Sequence, residues 1–143
     1  MIADSVHQFR KFIFIGVANT LIDIFILNLL MFTSGIYKGD YLIIFNTISY
    51  SIGTSNSYIL NKKWTFKDKS KSYSKQFAVF VTVSLIGMVL NNAIIYSFTT
   101  YMSPAFGLGW VMWVNFAKIM GVGVVSIWNF IGYKTLVFNL RST

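Results

Sequence analysis

Four long apolar stretches dominate the chain: about Phe9 to Ser34, Asp40 to Asn61, Gln76 to Tyr101 and Gly109 to Tyr133. Each has at least the ~20 residues that a helix needs to cross a hydrocarbon core of ~30 Å. Little sequence remains between them. Packed as soluble helices they would need a polar layer to cover them, and no segment provides one. Only 11% of the residues are charged, against about 25% in ordinary soluble domains. The pattern predicts an all-α membrane protein, a single domain over residues 1–143 with four transmembrane helices.

The connections set the expected topology. The first (Gly35 to Gly39) and third (Met102 to Leu108) are short, and the third holds the only proline. The middle one, Lys62 to Lys75, is the polar segment and carries Lys62, Lys63, Lys67, Lys69, Lys71 and Lys75. Arg10 and Lys11 precede the first stretch, and Lys134 and Arg141 follow the last. All these basic residues fall on one side, which the positive-inside rule makes cytoplasmic. Both termini are therefore expected in the cytoplasm. Lys38, in the outer turn, and Lys118, within the fourth stretch, are the exceptions. Trp64, Tyr73, Tyr101 and Trp110 stand near stretch ends, where interfacial aromatics belong.

The net charge of +8 would suggest nucleic acid in a soluble protein. Here the basic residues lie between apolar stretches, so an anionic lipid surface is the expected partner and nucleic acid is not. The first stretch is too long for a signal-peptide core and no small-residue cleavage site follows it, so it is expected to remain as a helix. With no cysteine, disulfides and thiolate chemistry are excluded.

The two halves resemble each other. His7-Gln8-Phe9-Arg10-Lys11-Phe12 aligns with Lys75-Gln76-Phe77-Ala78-Val79-Phe80, which sets Asp23 opposite Asn91. Tyr58 to Phe66 aligns with Phe130 to Phe138, which sets Asn46 opposite Lys118 and Ser57 opposite Asn129. The expected architecture is two tandem helical hairpins, repeat 1 over about 7–66 and repeat 2 over about 75–138. Equal orientation of the copies implies a pseudo-twofold axis along the membrane normal.

Ionisable groups deep in a bilayer are costly and usually mark function. Lys118 lies nine residues after Gly109, roughly 13 Å into its helix at 1.5 Å per residue. Asp23 lies about as deep. Each helix carries one stripe of small and polar residues at helical spacing: Gly16, Asn19, Thr20 and Asp23; Asn46 and Ser57; Ser84, Gly87 and Asn91; Asn115, Lys118 and Asn129. Turned inward, these stripes give the candidate ligand-binding residues Lys118, Asp23, Asn46, Asn91, Asn115, Asn129, Ser57 and Asn19. Two readings stand side by side. In one, the stripes and Asn92 are helix–helix glue, and Asp23 with Lys118 is a structural ion pair. In the other, Lys118 is a fixed positive charge for an anionic group such as a phosphate. Arg10, Lys11, Lys62, Lys63 and Lys134 are candidates for phosphate or lipid contact at the interface.

Catalysis finds little support. The single histidine, His7, precedes the first helix, and the sequence holds no carboxylate pair, nucleophile elbow or phosphate-binding glycine loop. Gly121-Val122-Gly123 reads as close helix packing. Metal ligands are too sparse for a site, and no cofactor is expected.

The sequence resembles the GtrA-like family, which includes the GtcA proteins of Gram-positive bacteria. Phe9 to Thr20 is similar to that family's Arg-Phe-x-x-x-Gly-x-x-x-Thr start. Asn61-Lys62-Lys63-Trp64-Thr65-Phe66 is similar to its Asn-Arg/Lys-x-Trp-Thr-Phe signature, Asn129 to Phe138 to the second copy, and Ala117-Lys118 to its Ala-Lys pair. Ser57, Leu136 and Ala78-Val79 depart from the usual Asn, Trp and Arg. The resemblance implies a role in cell-surface polysaccharide or teichoic acid glycosylation, in the bacterial cytoplasmic membrane. Its members are thought to move or present polyprenyl-phosphate-linked sugars.

The expectation is a non-enzymatic translocator of such a lipid, undecaprenyl phosphate being the expected carrier. Two rivals stay open: a scaffold subunit of a membrane glycosyltransferase, and a small multidrug-type exporter. A homo-oligomer is also left open, since four helices make a thin wall around a glycosylated head group.

Overall fold

A computed structural model describes residues 2–69 and 73–138; Lys71 and Arg141, counted with the basic side, lie outside the described residues. Helix α1 runs Ile2–Ser34, α2 Asp40–Thr54, α3 Ser57–Leu60, α4 Tyr73–Tyr101 and α5 Trp110–Gly132. Single π-helical turns, Asn61–Thr65 and Tyr133–Val137, extend α3 and α5. No strand occurs among the described residues. α1 stops at Gly35, whose φ of 71° gives the left-handed turn that lets its N–H reach back to the Met31 carbonyl at 2.8 Å.

Three segments are long and apolar enough to cross a membrane by themselves: Ser5–Ser34, Tyr73–Tyr101 and Trp110–Val137. The second apolar stretch is not one continuous α-helix, because it breaks between Thr54 and Ser57. Thr54 Oγ1 donates to the Tyr50 carbonyl at 2.9 Å, and Ser55 Oγ to the Ile52 carbonyl at 2.8 Å. Such local hydroxyl bonds beside a glycine (Gly53) weaken the helical ladder and bend it.

α1 packs chiefly along α2 and α4 along α5, and α1–α5 and α2–α4 contacts close the bundle. Its interior has layers. At the basic end an aromatic cluster holds Phe12, Tyr58, Phe80, Val83, Tyr133 and Val137. At the other end Leu27, Met31, Leu42, Ile95, Val114 and Ala117 pack together. Polar residues occupy the level between them. The outer surface is apolar: Phe14, Phe25 and Phe32 of α1 are each about two-thirds exposed. A water-facing surface would not carry so broad an apolar coat. The protein is a multi-pass membrane protein.

Contacts recur in pairs when a residue is shifted by the registers read from the sequence, Phe12 to Phe80 at the front and Asn46 to Lys118 at the back. Phe9 and Phe12 lie 4.9 and 5.4 Å from Phe130, and Phe77 and Phe80 each lie 5.3 Å from Tyr58. Tyr58–Phe138 at 6.0 Å matches Phe130–Phe66 at 6.3 Å, with Phe66 and Phe138 stacked on each other at 4.8 Å. The two π turns fall at matching positions as well.

Candidate functional site

The central polar layer is a chain of four buried residues, one from each of α1, α2, α4 and α5. Lys118 has no exposed surface, and its Nζ lies 2.8 Å from Asp23 Oδ2. The same ammonium donates to Asn46 Oδ1. Asn46 Nδ2 in turn donates to Asn91 Oδ1 at 3.0 Å and to Asn92 Oδ1 at 2.7 Å. The sequence registers set Asp23 opposite Asn91 and Lys118 opposite Asn46. The Asp23–Lys118 ion pair and the Asn91–Asn46 amide pair are therefore counterparts, joined at the centre by the Lys118–Asn46 bond.

Glycines bring the helices close enough for this. A Cβ at Gly53 would stand 2.7 Å from the Asn19 carbonyl oxygen and 2.9 Å from Asp23 Cβ, so α1 sits directly on α2 at the polar layer. On the other side Asn91 covers Gly121 in the same manner.

Between this layer and the aromatic cluster lies a cavity. Asn19, Thr20 and Asp23 of α1, Tyr50 and Thr54 of α2, Ser57, Asn61, Ser126 and Asn129 form its polar lining, and Phe12 and Tyr133 close it toward the basic end. About 60 Å³ of it is open to the centres of water-sized molecules. At about 10–15 Å³ per water that holds a few waters, not a hexose. Asn19 Nδ2 donates to Ser57 Oγ, Asn129 Nδ2 to Tyr50 Oη at 3.3 Å, and Asn61 Nδ2 to the Ser57 carbonyl at 2.9 Å. Asp23 Oδ1, Asn61 Oδ1 and Asn129 Oδ1 are buried acceptors with no partner. Lys118 does not line the cavity, and its charge is matched by Asp23. In this arrangement the cavity offers hydrogen-bond acceptors and a carboxylate, not a cation.

The structure thus brings together seven of the eight interior candidates, in two adjoining groups: Asp23, Lys118, Asn46 and Asn91 in the layer, and Asn19, Ser57 and Asn129, with Asp23 again, around the cavity. Asn115 stands apart. It forms a reciprocal amide pair with Asn28 at 2.9 Å, which ties α5 to α1 nearer the end away from the basic residues.

The basic candidates divide. Arg10 and Lys11 line a shallow surface groove with His7, Phe14 and Trp64. Lys11 Nζ lies 5.5 Å from the Trp64 ring centroid. Lys63, next to Trp64 in the chain, is exposed. Lys134 bonds Ser5 Oγ at 2.6 Å. Lys62 is buried at 4% exposure, 2.9 Å from Asp68 Oδ2, bonded to Gln76 Oε1 and over the Tyr73 ring. It ties the middle loop to α4 and is closed to an outside ligand.

Tyr50, Thr54 and Ser126 are not among the residues the sequence singles out, and Asn61 enters only as the first residue of the family signature. A signal existed for three of them. Asn46, Tyr50, Gly53, Ser57 and Asn61 follow i, i+4, i+7, i+11, i+15, with Thr54 beside Gly53. Tyrosine inside an apolar run reads first as packing, which hides it.

Comparison with known proteins agrees with this architecture. The GtrA/DPMS transmembrane domain family matches residues 11–138. An uncharacterized membrane protein of Bacillus subtilis (strain 168), YngA, is 28% identical over 95 residues. That stretch covers 66% of this chain and 61% of YngA, so the chain spans less than two-thirds of that relative's length. No solved structure matches. With the family match running from Lys11 at the head of the first span to Phe138 after the second π turn, the chain belongs to the GtrA/DPMS transmembrane-domain family.

Proposed function

We propose that the protein moves or presents a polyprenyl-phosphate-linked sugar across the bacterial cytoplasmic membrane for cell-surface polysaccharide or teichoic acid glycosylation. It does so without catalysing a reaction itself. Family membership ties the chain to the handling of sugars on glycosyl carrier lipids. The observation that carries the finer reading is the acceptor-rich cavity below the Asp23–Lys118–Asn46–Asn91 layer, inside an otherwise apolar bundle. Sugar hydroxyls are donors, and Asp23 and Asn61 hold acceptors without partners. The lipid phosphate finds its cations at the rim, at Arg10, Lys11 and Lys63, and the isoprenoid tail stays in the bilayer.

In this reading four helical spans form two tandem hairpins with both termini in the cytoplasm. Ser5, Trp64 and Lys134 support it: Lys134 bonds Ser5 and Lys11 bonds the Trp64 carbonyl, so the starts and ends of both halves meet at one end of the bundle. Membrane glycosyltransferases are the partners that would load or use the cargo. Anionic lipids would surround the basic end, and a second copy would thicken the wall around the head group.

The test is transfer in proteoliposomes carrying a labelled polyprenyl-phosphate hexose, read by attack of an impermeant oxidant on the sugar. We expect protein-dependent exposure of the sugar and none of a lipophilic cation. Movement of the cation alone would replace this reading with a small multidrug-type exporter. Failure to move either, with stable co-purification of a glycosyltransferase and loss of sugar-lipid synthesis in cells lacking the protein, would make it a scaffold subunit.

A further inference from the structure

We infer that single hydroxyls of an uncharged, hydroxyl-rich lipid head group enter the cavity sideways from the lipid, through the seam between α1 and α5, while the sugar ring stays outside the few-water space. The related positions of α4 pack against α5 and its π turn without such an opening. The nature of the cargo rests on the function proposed above; the portal does not.

The cavity is not symmetric, although the contacts around it are. Six residues of α1, from Phe12 to Asp23, line it, and none of α4 does. A Cβ built on Gly16 meets nothing within 4 Å. Thr20 of α1 and Val122 and Ser126 of α5, all half-buried, complete the seam. The sequence register carries Gly16 to Ser84 and Thr20 to Met88, two larger residues. Ser84 Oγ lies 2.7 Å from Tyr133 Oη, and the Tyr133 ring stacks on Phe80 at 4.7 Å. A Cβ at Gly87 would stand 2.8 Å from Asn129 Oδ1 and 3.1 Å from Tyr50 Oη. α4 therefore seats on the centre without a gap, where α1 leaves one.

What the portal would admit follows from the groups inside. Asp23 is 4% exposed and Asn61 1%, and each keeps an acceptor oxygen with no partner. A carboxylate can only accept. A donor-rich polyol matches it, and a phosphate at the same depth would meet like charge. The geometry separates the two ends of the cargo, with hydroxyls inside and phosphate at the basic rim.

The absence of cysteine makes single-cysteine labelling clean. In proteoliposomes, Thr20→Cys and Ser126→Cys should react with N-ethylmaleimide about ten-fold faster than Ser84→Cys and Met88→Cys, since thiol reactivity follows water access. Equal rates overturn the portal. Octyl glucoside should slow labelling of Thr20→Cys, and octyl phosphate should not; protection by the phosphate alone overturns the uncharged cargo. Gly16→Leu, whose Cβ meets nothing within 4 Å, should keep its thermal midpoint, shield Thr20→Cys and stop transfer of the sugar lipid. Full transfer by folded Gly16→Leu overturns the loading route and leaves the proposed function standing. If the wild type transfers no sugar lipid, the proposed function falls, and the labelling rates alone decide the portal.

Discussion

Lys118 and Asp23 form an almost fully buried ion pair, and such pairs stabilise less than they appear to. Desolvation of both charges offsets most of their attraction, while removing one partner leaves the other uncompensated at a cost of about 3–5 kcal/mol. The Asn91–Asn46 pair shows that amides fill the counterpart position without charge. Lys118→Gln alone should therefore destabilise the folded protein by about 3–5 kcal/mol. Asp23→Asn combined with Lys118→Gln should recover most of that loss. Thermal unfolding in detergent reads the effect, and simple additivity of the two single losses would contradict it. Depth and helical face announced both residues in the sequence, since an ionisable group near the middle of an apolar run must turn inward. The sequence offers their pairing as one of two readings and cannot choose it, because a stripe gives a face and a height but not the residue opposite; the structure shows the pair. Asn115 shows the limit of the same logic: it shares the Lys118 face but meets Asn28, one layer further out. Lys62 shows another. Its place in a lysine-rich loop suggests a solvated cation, and only the fold reveals Asp68 and Gln76 closing over it.

Among the elements, α2 departs most from what the sequence suggests. Hydropathy describes Asp40 to Asn61 as one span, but hydrophobicity does not register the interruption after Thr54, where the Ser55 N–H bonds the Ile52 carbonyl at 3.3 Å. The break lies beside Gly53, where α1 comes closest. Alanine at Gly53 would press on the Asn19 carbonyl and the Asp23 side chain, and neither is the free end of a flexible chain. Gly53→Ala should cost about 1–3 kcal/mol, the usual range for overpacking. Gly123, where a Cβ meets nothing, provides the control: Gly123→Ala should be neutral, or stabilising by up to about 1 kcal/mol from helix propensity. Equal effects at the two sites, measured by thermal unfolding, would show that the α1–α2 approach at Gly53 does not limit stability. The π turns are the other feature that apolar patterning cannot supply. A π turn adds one residue to a helical turn without changing the composition. Only the matching of Asn61–Thr65 with Tyr133–Val137 across the two halves gives it a sequence correlate.

For the whole molecule the decisive quantity is the parity of the spans. Three segments reach membrane length unaided, and an odd number would put the two termini on opposite sides. The contacts argue for an even number. Lys11 bonds the Trp64 carbonyl and Lys134 bonds Ser5, so the chain has returned to its starting end by Trp64 and again by Lys134. From Asp40 to Thr65 the broken second element has 26 residues. At 1.5 Å each that is about 39 Å of helix, enough to cross a ~30 Å core despite the bend. The basic residues agree, because Arg10, Lys11, Lys63 and Lys75 gather at that end and, among the described residues, Lys38 alone marks the other. Single cysteines in intact cells should therefore separate by side. Ser34→Cys and Ser103→Cys should react with an impermeant maleimide from outside. Lys67→Cys should react only after the membrane is permeabilised. Labelling of Lys67→Cys from outside together with Ser34→Cys would mean that the second element does not cross. The cavity would then lose its α2 wall within the membrane, and the polar layer with it.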